Sequence, residues 1–216
     1  MTTEAATSGA QSGHLPQPGE EAMFDLVFEL AGTQLPRDYQ GALWNALLEQ
    51  LPWLAEEPGA GVHAVRGSAT DAGLLLSRRA RLALRLPQRR HADAGRLTGR
   101  RLRVEDSALE VGAARARPLE PFPTLSAGFV ATGAGDELAH QDAVQALLAA
   151  MGLPLRFICG RMRVMRSGTA SVAGASVVLH QLRPEQSLLV QCRGLGELRH
   201  LGCGLFLPHK TISGID

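Results

Sequence analysis

What this chain lacks narrows its chemistry first. No run approaches the roughly 18 consecutive apolar residues that a membrane span requires, although 45% of residues are apolar. The three cysteines, Cys159, Cys192 and Cys203, come without the basic-then-apolar order of an export signal, so the expectation is reduced thiols in a cytoplasmic protein. There is no Gly-x-Gly-x-x-Gly, because Arg199 stands where the third glycine of GLGELRHLGCG would fall, and no Gly-Lys-Ser/Thr follows. Nucleotide-cofactor folds are therefore disfavoured. Cys192, His200, Cys203 and His209 match no common zinc spacing, so neither a metal nor a cofactor is expected. Nothing suggests a carboxylate pair or a Ser/His/Asp set. Lysine is nearly absent, Lys210 being the only one.

What is present is arginine, and it is concentrated. Residues 1–65 hold one basic residue, Arg37, against nine acids, a net charge of −8. Residues 66–103 hold eleven arginines against Asp71 and Asp93, a net +9, and the remainder balances. A block of guanidinium groups is an electrostatic footprint for a polyanion.

Periodicity gives the order of elements. The first 21 residues read as a disordered leader. MFDLVFEL (23–30) alternates as a strand, and DYQGALWNALLEQLPWL from Asp38 places Leu43, Leu47, Leu48 and Leu51 at helical spacing before Pro52. GVHAVRG and LLLSRRARLALRLP read as paired strands, with Arg79, Arg81 and Arg85 on one face and Leu82, Leu84 and Leu86 on the other. A second helix over roughly 87–97 and a strand or hairpin to Leu119 complete a βαββαβ unit. After the Pro-rich segment 118–123 the order recurs: LSAGFVATGA, a helix ending at Gly152, LRFICGRMRVMR, GASVVLHQL, the helix PEQSLLVQCRG and a final LFLP. The expected fold is α+β: two tandem ferredoxin-like domains with antiparallel sheets, over 22–117 and 124–212, joined by a linker at 118–123.

GLGELRHLGCGLFLP (194–208) resembles the glycine-rich signature of the repeat-associated mysterious protein superfamily: Gly-apolar-Gly, about five residues with a basic one, Gly-x-Gly, then an apolar strand. With LAGTQLPRDY (30–39), LPWLAEEPGAGVHAVRG (51–67) and LSRRARLALRLP (76–87), the chain is similar over roughly 23–208 to the CRISPR-associated endoribonucleases that cut precursor CRISPR RNA within each repeat, most of all to the myxobacterial-type variant. The resemblance implies metal-independent attack by the 2′-hydroxyl on the adjacent phosphate, leaving a 2′,3′-cyclic phosphate. It implies CRISPR repeat RNA as partner, with other subunits of a CRISPR effector complex as further candidates. The same superfamily includes RNA-binding subunits that do not cut, which is the alternative reading.

Such a cut needs proton transfer, and histidine suits it near neutrality. Of seven histidines, His63 opens a strand after the PGAG turn, where the resemblance is densest, and is the expected catalytic residue. His14 sits in the leader, and His91 and His140 on expected exposed helical faces. Tyr39, at the start of the first helix, is a second catalytic candidate. For RNA binding the candidates are Arg78, Arg79, Arg81 and Arg85, with Gly194, Gly196, Arg199, His200, Gly202 and Gly204 of the glycine loop, whose backbone N–H groups would face phosphate. For each arginine the alternative is a solvated surface charge. Trp44 and Trp53 read as core rather than as base-stacking platforms.

Overall fold

The computed structural model describes residues 22–168 and 170–209, so the expected leader and residues 210–212 of the expected second domain lie outside the described residues. In chain order the elements are β1 (Met23–Ala31), β2 (Gln34–Leu35), α1 (Tyr39–Gln50), β3 (Gly61–Val62), β4 (Ser68–Thr70), β5 (Gly73–Leu75), β6 (Arg81–Pro87), α2 (His91–Gly95), β7 (Arg101–Val104), β8 (Ser107–Pro118), β9 (Thr124–Ala131), α3 (Glu137–Ala150), β10 (Arg156–Cys159), β11 (Arg163–Ser167), β12 (Ala170–His180), α4 (Pro184–Arg193) and β13 (Leu207–Pro208).

The alternation in MFDLVFEL sets the first sheet. Phe24, Leu26, Phe28 and Leu30 of β1 and Leu82, Leu84 and Leu86 of β6 are buried on one face, against Leu43 and Leu47 of α1. The strand order is β3-β6-β1-β8-β7, every pairing antiparallel. A second sheet, β10-β12-β9-β13 with β11 added on β12, packs Leu125, Val177 and Leu179 against Val144 and Leu148 of α3 and Val190 of α4. In each sheet the last main strand lies beside the first, then the third, then the second, which is the antiparallel α+β arrangement expected for βαββαβ units. Among the described residues no helix is long and apolar enough to cross a membrane.

Local chemistry places the helix ends. Asp136 accepts the Ala139 N–H at 2.9 Å to cap α3. Pro184 opens α4, and Gly194, with φ 68°, closes it.

Several boundaries differ from the periodic reading. The strand expected over 74–87 is broken at 76–80, where the Ala80 N–H bonds the Ser77 carbonyl at 2.9 Å, and its first part joins a small third sheet, β2-β5-β4. GVHAVRG stays in the first sheet only to His63, whose N–H reaches the Ala83 carbonyl at 2.9 Å. The helix expected over 87–97 shortens to α2 after one 3-10 turn. His140, expected on an exposed face, is buried at 1% exposure, its Nδ1 lying 2.7 Å from the Thr132 hydroxyl.

The polar face of β6 departs furthest from expectation. Arg81 is exposed, but Arg85, on the same face, is fully buried because the second half of the chain covers that end of the strand. Its Nε and Nη2 donate to the Asp25 carboxylate at 2.8 and 3.1 Å, and its Nη1 donates to the carbonyls of Gln191 and Phe206 at 3.0 and 2.9 Å. Arg85 therefore joins the two sheets instead of meeting RNA, which corrects its assignment as an RNA-binding residue. Truncation would leave Asp25 with a buried charge short of its principal partner. Arg85→Ala should lower unfolding stability by about 3–5 kcal/mol in urea titration; a loss under about 1 kcal/mol would contradict this role.

Candidate active site

Where the two halves meet, a cleft of about 650 Å³ is lined from the first half by Gln40, His63 and Arg66 and from the second by Phe129, Arg163, Gly202, Leu207 and His209. His63 reaches it because β3 ends at Val62 and the chain turns out of the sheet. That exit is fixed by Tyr39, whose buried hydroxyl accepts the Val65 N–H at 2.8 Å. Burial raises the Tyr39 pKa. The phenol is thus committed to backbone two residues past His63.

The electrostatics of His63 are set from beneath. Its Nε2 lies 3.0 Å from Asp25 Oδ1, and the same carboxylate receives Arg85 and Arg117 Nη2, the latter at 2.7 Å. Burial alone would raise the Asp25 carboxyl, but hydrogen bonds and charge from His63 and Arg85 outweigh it and hold the group far below the usual carboxylate range. Asp25 is therefore an acceptor only, and His63 must carry its proton on Nε2. Burial pushes the His63 pKa below the ordinary histidine value, the Asp25 charge only partly offsetting it. A neutral imidazole with Nε2 bound leaves Nδ1 as a base.

The glycine loop is put together differently from its sequence reading. The N–H groups of Gly194, Leu195, Gly202, Cys203 and Gly204 donate to the carbonyls of Val190, Gly204, Arg199, Leu198 and Phe129. They are spent on folding the loop and strapping it to β9, not held free for phosphate. Glycine is required at Gly204, with φ 63°, because any Cβ would strike the Leu195 backbone. Gly196 lies against the Ala131 carbonyl, and of the four glycines Gly202 lines the cleft.

Arg199 points inward. Its Nη1 bonds the Cys192 carbonyl at 3.0 Å and its Nη2 the Gly59 carbonyl at 3.1 Å, and burial pushes its pKa down to about 10. His200 lies on Trp44 with ring centroids 5.0 Å apart. Both residues line a separate, smaller cavity. The expected phosphate grip by Arg199 gives way to a clamp between the halves.

The basic block divides likewise. Arg89 and Arg90 bind the buried Glu57, Arg90 also lying 4.5 Å over the Trp53 ring. Arg78 and Arg81 line a larger cavity, about 920 Å³, at the other end of β1, with Glu29, Arg100 and Arg101. The register pairs Asp25 with Arg85 and Glu29 with Arg81, so the two sites are four residues apart on β1, about 13 Å. Arg79 is exposed on the turn before β6.

The cleft thus gathers groups that the sequence reading had not singled out as site residues: Asp25 beneath, and Arg66, Arg163, Phe129 and His209 on its walls. Two had visible signals. Asp25 is one of two acids, with Glu29, on the polar face of the mainly apolar β1, and Gly128 within LSAGFV marks a strand irregularity beside Phe129.

The Cas6 family profile, described as Cas6 Crispr, matches residues 24–211. The CRISPR-associated endonuclease Cas6 of Myxococcus xanthus is 37% identical over 185 residues, 85% of this chain and 80% of that protein. Among solved structures, that of a Cas6-related gene product from Pyrococcus furiosus superposes with a TM-score of 0.60 at 14% identity, covering 86% of this chain and 98% of that one. An RAMP protein described as binding different RNA substrates superposes at 0.58 with 15% identity, over 85% and 98% of the two chains. The structural likenesses show a shared α+β fold with antiparallel sheets, while the profile and the sequence relative carry the kinship: the chain belongs to the Cas6 family of CRISPR-associated endonucleases.

Proposed function

We propose that the chain cuts precursor CRISPR RNA within its repeats without a metal ion and so supplies mature guide RNA. The observation that carries this reading is His63, bound through Nε2 to Asp25, on a cleft that also holds Arg66, an exposed guanidinium with no ion pair among the described residues. His63 Nδ1 takes the proton of the 2′-hydroxyl as its oxygen bonds to phosphorus. Arg66 and Arg163 face the extra negative charge of the phosphorane. As the bond from phosphorus to the 5′ oxygen breaks, His209 delivers a proton to that oxygen. The products are a 2′,3′-cyclic phosphate and a 5′-hydroxyl. Tyr39 acts on this chemistry through the backbone, by positioning the segment that carries His63. The kinship with an endonuclease favours this reading over a subunit that only binds RNA.

Purified protein with repeat RNA in EDTA should give a single cut and a cyclic phosphate end; binding without cleavage under any condition would favour the non-cutting reading. His63→Ala should slow single-turnover cleavage by about 10²- to 10⁴-fold with RNA affinity nearly unchanged. Arg66→Ala should slow the cut and, unlike His63→Ala, also weaken binding and reduce the salt slope by about 0.7, the contribution of one single-strand phosphate contact.

The pH dependence has a fixed sign. Only neutral His63 can act as base, so kcat/KM should fall as pH falls, with its acidic midpoint below about 6.5 because the histidine pKa is lowered. Stability should move the same way, since the unfolded chain takes up protons at His63 and Asp25 before the folded chain does. An acidic limb in kcat/KM centred above 7 would contradict the assignment.

A further inference from the structure

We infer that Phe129 is the shelf on which a nucleobase of the bound RNA stacks, next to the phosphate that is cut. The inference rests on the proposed RNA-processing role and adds a binding element to it.

The backbone is shaped for this. In the β9–β12 ladder Ala127 pairs with Val177 and Val130 with Ala175, so Gly128 and Phe129 together oppose the single residue Ser176. A bulge of this kind re-aims a side chain, and here Phe129 joins the cleft wall that faces His63. The bulge is pinned from two sides. The Phe129 carbonyl accepts the Gly204 N–H of the glycine loop at 2.7 Å, and the Gly128 carbonyl accepts Arg163 Nη2.

The ring has a bare floor. Its edge lies over Gly174 of β12, where a Cβ would strike the Val130 carbonyl and stand 2.8 Å from Phe129 Cε1, so no side chain fits beneath the ring. Arg163 Cζ lies over the ring, 5.7 Å from its centroid and at the outer range of a cation–π contact, so the guanidinium adds a charged plane to one side of the stack. Phe129 remains only partly buried, and the neighbouring Val164 is 62% exposed. A fixed, part-exposed aromatic ring beside a guanidinium is the surface on which proteins stack unpaired bases. Because every base presents a π-face, the shelf takes any base and acts by orienting its nucleotide.

The test uses repeat RNA carrying one 5-iodouridine, scanned along the repeat, with a 2′-deoxynucleotide at the cut so that the complex persists. Near-ultraviolet irradiation should crosslink one position to Phe129, identified by mass spectrometry. Phe129→Leu should remove that crosslink and weaken binding about 10- to 100-fold, while Phe129→Trp should retain both. Wild-type affinity in Phe129→Leu, or crosslinks at every position that map elsewhere, would overturn the shelf while leaving the cleavage reading intact. A Phe129 crosslink in a protein that never cuts RNA would uphold the shelf and sink the cleavage reading.

Discussion

The structure turns on one buried ion pair. Asp25 and Arg85 face each other across β1 and β6 at 1% and 0% exposure, and the guanidinium's remaining nitrogen, Nη1, donates to two carbonyls of the other half. Neither charge could be buried alone, since an unpaired ion in that position costs several kcal/mol. The pair therefore requires the second half to dock, and docking in turn creates the cleft. The same carboxylate holds His63. Assembly of the halves and orientation of the candidate base are thus one interaction.

The end of α4 shows how the second half answers. Its last carbonyls, at Gln191 and Cys192, carry the negative end of the helix dipole and have no partners within the helix. Arg85 takes one from the first half and Arg199 takes the other from the glycine loop, while also reaching back to Gly59. The glycine loop consequently works as a strap. Its compactness brings Gly202 to the cleft wall and ties the loop to the Phe129 carbonyl, so its influence on bound RNA passes through what it positions.

The sequence made the architecture legible because alternation and helical spacing are local signals. Phe24, Leu26, Phe28 and Leu30, and Leu82, Leu84 and Leu86, occupy the buried faces their spacing implied. His63 also carries local signs, a turn before a strand in a recognisable segment, and it lies on the cleft. The roles of the arginines were not legible. Arg85 and Arg81 have the same parity on the same strand, and only the packing of the other half buries one and leaves the other in solvent. Arg199 looked like a phosphate ligand because its loop is rich in glycine, but those glycines serve close backbone contacts. Asp25 and His63 are 38 residues apart, and no spacing rule joins them.

In the proposed chemistry, ionised Asp25 holds His63 as a neutral base. Nitrogen-15 NMR of histidine-labelled protein reads this directly, with His63→Ala supplying the assignment. At pH 7 the His63 signals should be those of a neutral imidazole protonated on Nε2, with proton uptake only below the ordinary histidine range. An Nδ1-protonated tautomer, or an imidazolium at pH 7, would rule out His63 as the base.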